Sequence, residues 1–133
     1  MLTGEQLLEK AKEAMAGAYA PYSNFFVGAA LLCEDGTIYT GCNIENAAFG
    51  VSNCAERTAL FKAVSDGHRK FTAIAIVGGR NGVIDDYCYP CGVCRQALSE
   101  FVDKSFKFYF TNGKGDISSM TFSDLLPYAF NEF

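Results

Sequence analysis

Basic charge is scarce in this chain. Eleven Lys and Arg stand against 15 Asp and Glu, which leaves a net charge of −4 and a pI near 4.9. A surface that tracks phosphates needs clustered Lys and Arg, so nucleic acid is excluded as a partner, while a small uncharged ligand loses nothing here. No apolar run is long enough to span a membrane. The first residues, Met1-Leu2-Thr3-Gly4-Glu5-Gln6, lack the basic and apolar regions of a signal peptide and read directly into a helix with a capping box, so a cytoplasmic location is expected. Histidine occurs once, as His68 after Asp66-Gly67 in a charged helix exit, which reads as a solvated surface residue with no part in catalysis. Repeats, low-complexity stretches and linkers are also missing. With half of its 133 residues hydrophobic and 14% aromatic, the chain reads as one domain over 1–133 with ample core material.

What the chain does have is cysteine in an informative pattern. Cys54-Ala55-Glu56 is followed by Pro90-Cys91-Gly92-Val93-Cys94: three possible thiolate ligands, and a carboxylate two residues from the first. A structural zinc is nearly always ringed by four protein ligands, whereas a catalytic zinc keeps three and leaves the fourth position open. The pattern therefore reads as a site for activating water. Cytosolic cysteines are more often metal ligands or buried residues than disulfide partners, and Cys33 and Cys42 read as core. Cys88, Cys91 and Cys94 share the spacing of part of a ferredoxin loop, but no fourth cysteine follows three residues on. A non-enzymatic zinc or iron–sulfur module is the rival reading, and it would recruit Cys88 or Cys42 as fourth ligand. Otherwise Cys88 is an incidental loop cysteine.

Local patterning places both halves of the motif at helix starts. Asn53 is a suitable N-cap, and Ala55, Ala59, Leu60, Ala63 and Val64 recur at helical period up to Asp66-Gly67. Pro90 suits a helix start, with Ala97, Leu98, Phe101 and Val102 as the apolar stripe beyond it. Two helix N-termini converging on one cation favour the thiolate form. Three thiolates on a divalent ion leave net negative charge, and Arg57 is a candidate to offset it by hydrogen bonding to sulfur. Glu56 also lies three residues after Asn53, so a capping-box role competes with a catalytic one. A coarse pass gives helix, strand, strand, helix, strand, helix, strand, helix. The helix 3–18 comes first, then strands 25–33 and 37–43 joined by Glu34-Asp35-Gly36, then strands 71–77 and 106–111 after the two motif helices. Alternating strands and helices imply a sheet covered on both faces.

Cys54-Ala55-Glu56-Arg57 with Pro90-Cys91-Gly92-Val93-Cys94-Arg95-Gln96 resembles the zinc-dependent cytidine deaminases, in the small homotetrameric branch with three cysteine ligands. The likeness extends through Ala20-Pro21-Tyr22-Ser23 and Phe25, Val27 to Leu32, Gly41 to Ala48, Ala59 to Val64, and Leu125-Leu126-Pro127 with Phe130. It implies a three-layer α-β-α sandwich on a mixed five-stranded sheet, and one zinc per chain held by Cys54, Cys91 and Cys94. The implied activity is hydrolytic deamination of cytidine and deoxycytidine, with Glu56 moving protons among water, the pyrimidine N3 and the departing amino group. By the same resemblance Asn43 and Glu45 hydrogen-bond the ribose, Phe25 packs on sugar or base, and the N–H of Ala55 meets the pyrimidine carbonyl. Ala47, Phe49 and Phe130 reach toward an adjacent subunit's site. Read locally, Asn43-x-Glu45 is an ordinary turn and Phe25 an ordinary core residue. Blasticidin-type deaminases share the Cys-Ala-Glu and Pro-Cys-Gly motifs, but need not keep the Asn43-x-Glu45 clamp. The chain departs from the family's pattern in a longer segment from Gly78 to Tyr89, and in Tyr89 where a serine is expected.

Overall fold

A computed structural model describes residues 3–132. The elements run α1 (Gly4–Met15), β1 (Phe25–Cys33), β2 (Ile38–Cys42), α2 (Ala55–Ser65), β3 (Phe71–Arg80), α3 (Gly92–Ser99), β4 (Lys107–Thr111), β5 (Ile117–Thr121) and a one-turn α4 (Phe122–Leu125). The strands form one mixed sheet in the order β2-β1-β3-β4-β5, with only the β3–β4 pair parallel. Period-two alternation decides which side chains face which layer. Ala30, Ala73, Ala75 and Val77 meet Leu7, Leu8 and Ala11 of α1 on one face. Ala29, Leu31, Ile74, Ile76, Phe108 and Phe110 meet Ala59, Leu60, Ala63 and Leu98 of α2 and α3 on the other. The three-layer expectation holds. Among the described residues, no helix is long and apolar enough to cross a membrane.

Two glycines set the spacing of the layers. A Cβ at Gly28 would lie 2.1 Å from the Ala11 carbonyl oxygen, and one at Gly41 would lie 2.5 Å from that of Ala55. Only glycine lets the backbones of α1 and α2 rest directly on β1 and β2.

Several boundaries differ from the sequence reading. Helix α1 stops at Met15 rather than residue 18, and α3 stops at Ser99, so Phe101 and Val102 pack from beyond it. The N-caps fall on Cys54 and Cys91, not on Asn53. Asn53 is otherwise engaged: its backbone exchanges two 2.9 Å hydrogen bonds with Ile44, and its amide donates to Thr58 Oγ1 at 3.2 Å. Strand β5 and the short 3₁₀ turn Phe49–Val51 have no counterpart in the residue-by-residue pass.

Sheet direction positions the site. Strands β2 and β3 both run antiparallel to β1, so both end at the edge where β1 begins. The chain leaving β2 enters α2 and the chain leaving β3 enters α3, which brings both helix N-termini to that edge beside Phe25.

Candidate active site

The three cysteines of the motif meet at this edge. Cys54 caps α2, Cys91 caps α3, and Cys94 lies buried in the first turn of α3. Their sulfurs all lie within 4.8 Å of one another, and Cys54 Sγ is 3.6 Å from Cys91 Sγ. Zinc–thiolate bonds of 2.3 Å in tetrahedral geometry put two sulfurs about 3.8 Å apart, so the trio fits zinc as it stands. Arg57 Nη2 donates to Cys54 Sγ at 3.5 Å, and its buried Nε has no hydrogen-bond partner among the described residues. The Cys54 thiol is brought down to about 5, first by its hydrogen bond with Cys94 and then, against the cost of burial, by Arg57 and Cys91.

Glu56 occupies the second helical position of α2 and is only 4% exposed. With the cap on Cys54, it no longer stands where a capping-box partner would. Burial pushes its carboxyl up to about 7. A carboxyl with affinity near neutrality can both take and return a proton.

A cleft of about 420 Å³ opens onto this group, lined among others by Phe25, Asn43, Glu45, Phe49, Ala55 and Glu56. Asn43 follows β2, where its Oδ1 accepts from Val27 N at 2.9 Å and its Nδ2 donates to the Phe25 carbonyl at 2.8 Å. Glu45 Oε1 accepts from the backbone N–H groups of Tyr22 and Ser23 at 3.0 and 3.1 Å, and Oε2 accepts from the Ser23 hydroxyl. Those bonds, the Ser23 hydroxyl first, hold the Glu45 carboxyl below its ordinary range. The local turn reading of Asn43-x-Glu45 is thus half of the picture, since both side chains satisfy backbone and face the cleft at once.

Other expected residues fall elsewhere. Ala47 lies exposed in the loop beyond Glu45, outside this chain's cleft lining. Phe130 is 71% exposed, and its carbonyl accepts from Gln96 Nε2 of α3 at 2.7 Å. The cleft also includes Val27, Ser52 and Asn53, which the motifs do not point to, and Cys88 and Tyr89, which the sequence places at the mouth of the site. Cys88 is half-buried, stands apart from the metal trio, and has its thiol pushed up to about 12 by burial. The Tyr89 ring packs edge-on against Phe110 with centroids 4.9 Å apart.

Cys33, Asp35 and His68 form a second compact grouping far along β1. There Asp35 faces His68 across 3.9 Å, and burial lifts the Cys33 thiol to about 11. His68 is half-buried against the Tyr39 ring at 5.3 Å, more enclosed than a solvated loop residue. Cys33 belongs to the core, but Cys42 is only half-buried at the end of β2.

The fold and the three-sulfur site are those of a zinc-binding hydrolase. The family model for the cytidine and deoxycytidylate deaminase zinc-binding region matches residues 1–110, and the chain belongs to that family. The chain is 56% identical to a cytidine deaminase from Sporosarcina psychrophila, over 96% of its own length and 91% of the relative's. It is 50% identical to a cytidine deaminase from Halalkalibacterium halodurans, over 95% and 92% of the two chains. The solved structure of cytidine deaminase from Burkholderia pseudomallei superimposes with a TM-score of 0.88 at 48% identity, covering 97% of this chain and all of the other.

Proposed function

We propose that the protein hydrolyses cytidine and deoxycytidine to uridine and deoxyuridine, releasing ammonia. The observation that carries this reading is the pairing of an open three-sulfur site with the buried Glu56, in a cleft whose other end presents Asn43 and Glu45. Cys54, Cys91 and Cys94 would hold the zinc, which when bound would supply Lewis acidity that makes water a stronger acid. Glu56 takes the proton from that water and gives it to N3 of the pyrimidine, which makes C4 more electrophilic. The hydroxide oxygen adds to C4, and Glu56 takes the proton of the resulting C4 hydroxyl and delivers it to the amino group, which leaves as ammonia while the C4 carbonyl forms, so one carboxyl serves as base and acid in turn. The N–H of Ala55, in the first turn of α2 where helices leave such groups unpaired, is the donor to the pyrimidine carbonyl. Arg57 offsets the negative charge of the sulfurs.

The sugar end has limited hydrogen-bonding capacity. A carboxylate accepts about four hydrogen bonds, and three positions on Glu45 are taken. Asn43 retains one amide hydrogen beyond its bond to Phe25. A single sugar hydroxyl donating to Glu45 and accepting from Asn43 completes both. Phe25 provides the apolar wall for sugar or base. Free nucleosides are neutral, in keeping with the acidic chain.

The active form in this reading is a homotetramer with one zinc per chain. Phe49 lines the cleft yet is 84% exposed, so the wall it forms is open on its outer side and suited to closure by a neighbour. Ala47, Phe49 and Phe130 are the residues assigned to such contacts.

Following the ultraviolet spectrum of cytidine with purified zinc-loaded protein tests the activity. The wild type is expected to convert cytidine to uridine, and Glu56→Gln to keep its zinc while losing roughly 10²-fold or more in turnover. Unchanged cytidine overturns the reading, and a fully active Glu56→Gln protein overturns the role of Glu56.

A further inference from the structure

The two proposed sugar-binding side chains are held by the segment that leads into β1, and one hydroxyl joins that segment to the carboxylate. Ser23 Oγ donates to Glu45 Oε2 and accepts from the backbone N–H of Phe25 at 3.0 Å. The backbone N–H groups of Tyr22 and Ser23 reach only Oε1. The hydroxyl is therefore the bond that fixes rotation of the carboxylate about its own axis, and it also ties that carboxylate to the residue forming the apolar wall. The bend between them is pinned from outside. Asn24 adopts a left-handed φ of 58°, its N–H donates to the Ala20 carbonyl at 2.9 Å, and its carbonyl accepts from Asn81 N at 2.8 Å. The backbone of the bend thus stays in place without the serine, while Glu45 and Phe25 lose the link between them.

We propose that Ser23 is a positioning residue for sugar recognition: its hydroxyl orients Glu45 so that the carboxylate's one remaining acceptor place faces the cleft. The proton of the Ser23 hydroxyl is engaged by Glu45, so Ser23 acts on the sugar through Glu45 and not by direct donation. The inference rests on the reading that Asn43 and Glu45 receive the sugar. It confines the effect of Ser23 to substrates that carry the hydroxyl Glu45 accepts.

The test is steady-state kinetics on cytidine and on 2′,3′-dideoxycytidine, which lacks both ring hydroxyls, with thermal melting of each variant. Ser23→Ala should raise KM for cytidine roughly tenfold, leave kcat within about twofold, and barely move KM for the dideoxy substrate. Ser23→Thr, which restores a hydroxyl, should return KM for cytidine close to the wild-type value. An unchanged KM in Ser23→Ala, equal losses on both substrates, or a fall in kcat alone overturns the inference. Glu45→Ala separates the two levels. If it leaves discrimination between the substrates intact, the sugar-binding reading itself fails. If it abolishes discrimination while Ser23→Ala is silent, only the role of Ser23 fails.

Discussion

At the scale of single residues, the site's chemistry follows from which sulfur is exposed to which neighbour. Cys54, Cys91 and Cys94 share one small volume with Arg57 beside them, whereas Cys88 lines the same cleft outside that volume. Replacing any of the three by Ala should release zinc and abolish deamination, because a three-ligand site has no spare donor. Cys88→Ala should keep one zinc per chain after dialysis, as measured by elemental analysis. Loss of zinc from Cys88→Ala would mean a closed four-sulfur site. That Cys54, Cys91 and Cys94 meet, with Glu56 in the same cleft, is legible in the sequence because each half of the motif is tied to a helix start. The tethering of Glu45 by Tyr22 and Ser23, more than 20 positions away in the chain, was not, since no local pattern records a side chain that answers backbone from another loop.

At the scale of elements, strongly periodic segments could be read directly and weakly patterned ones could not. Strand β1 spans Phe25–Cys33, as its apolar run implies, and the capping box of Thr3 and Gln6 starts α1 where it was expected. Strand β5 is Ile-Ser-Ser-Met-Thr, mostly polar and half-open at the sheet edge, so it shows no run to detect; it enters the sequence reading only through the resemblance to a five-stranded family. The cap of α2 was misplaced by one residue because Asn53, an excellent cap in isolation, is drawn into pairing with Ile44. The contact of β2 with α2 makes a prediction at this scale. A Cβ at Gly41 would stand 2.5 Å from the Ala55 carbonyl oxygen and 2.6 Å from Ala59 N, both backbone atoms that cannot swing aside. Gly41→Ala should destabilise the fold by roughly 1–3 kcal/mol and weaken zinc retention by displacing the start of α2. Gly92→Ala, where a Cβ meets nothing within 4 Å, is the control. Denaturation midpoints of the two variants decide it, and equal midpoints would show that the layers yield more easily than their backbone contacts imply.

For the whole molecule, the surface of one chain is the telling feature. Phe49, Val51 and Tyr128 are exposed at 84%, 65% and 104%, and Phe49 belongs to the cleft as well. Exposed apolar surface of this kind marks a contact site, and at Phe49 it adjoins the cleft. Sedimentation with activity across a dilution series should show a tetramer whose turnover per chain falls as it dissociates, and Phe49→Ala should raise KM for cytidine, weaken assembly, or both. A dilute monomer with full activity would show that each chain builds its site alone.

The convergence of the two helix starts also has a meaning for chain entropy. Cys54 and Cys91 are 37 positions apart, and all of β3 lies between them. An ion shared by both therefore closes a long ring in the covalent sense, and a ring of that size withdraws much of the freedom the unfolded chain would otherwise regain. The sulfurs sit at the sheet's edge, while the packed phenylalanines and leucines lie between the layers. Chelation should thus act first on the cleft rim and only later on the core. Resistance to unfolding and readiness to bind substrate then share one removable clasp, with the packed layers supplying the stability that remains when it is gone.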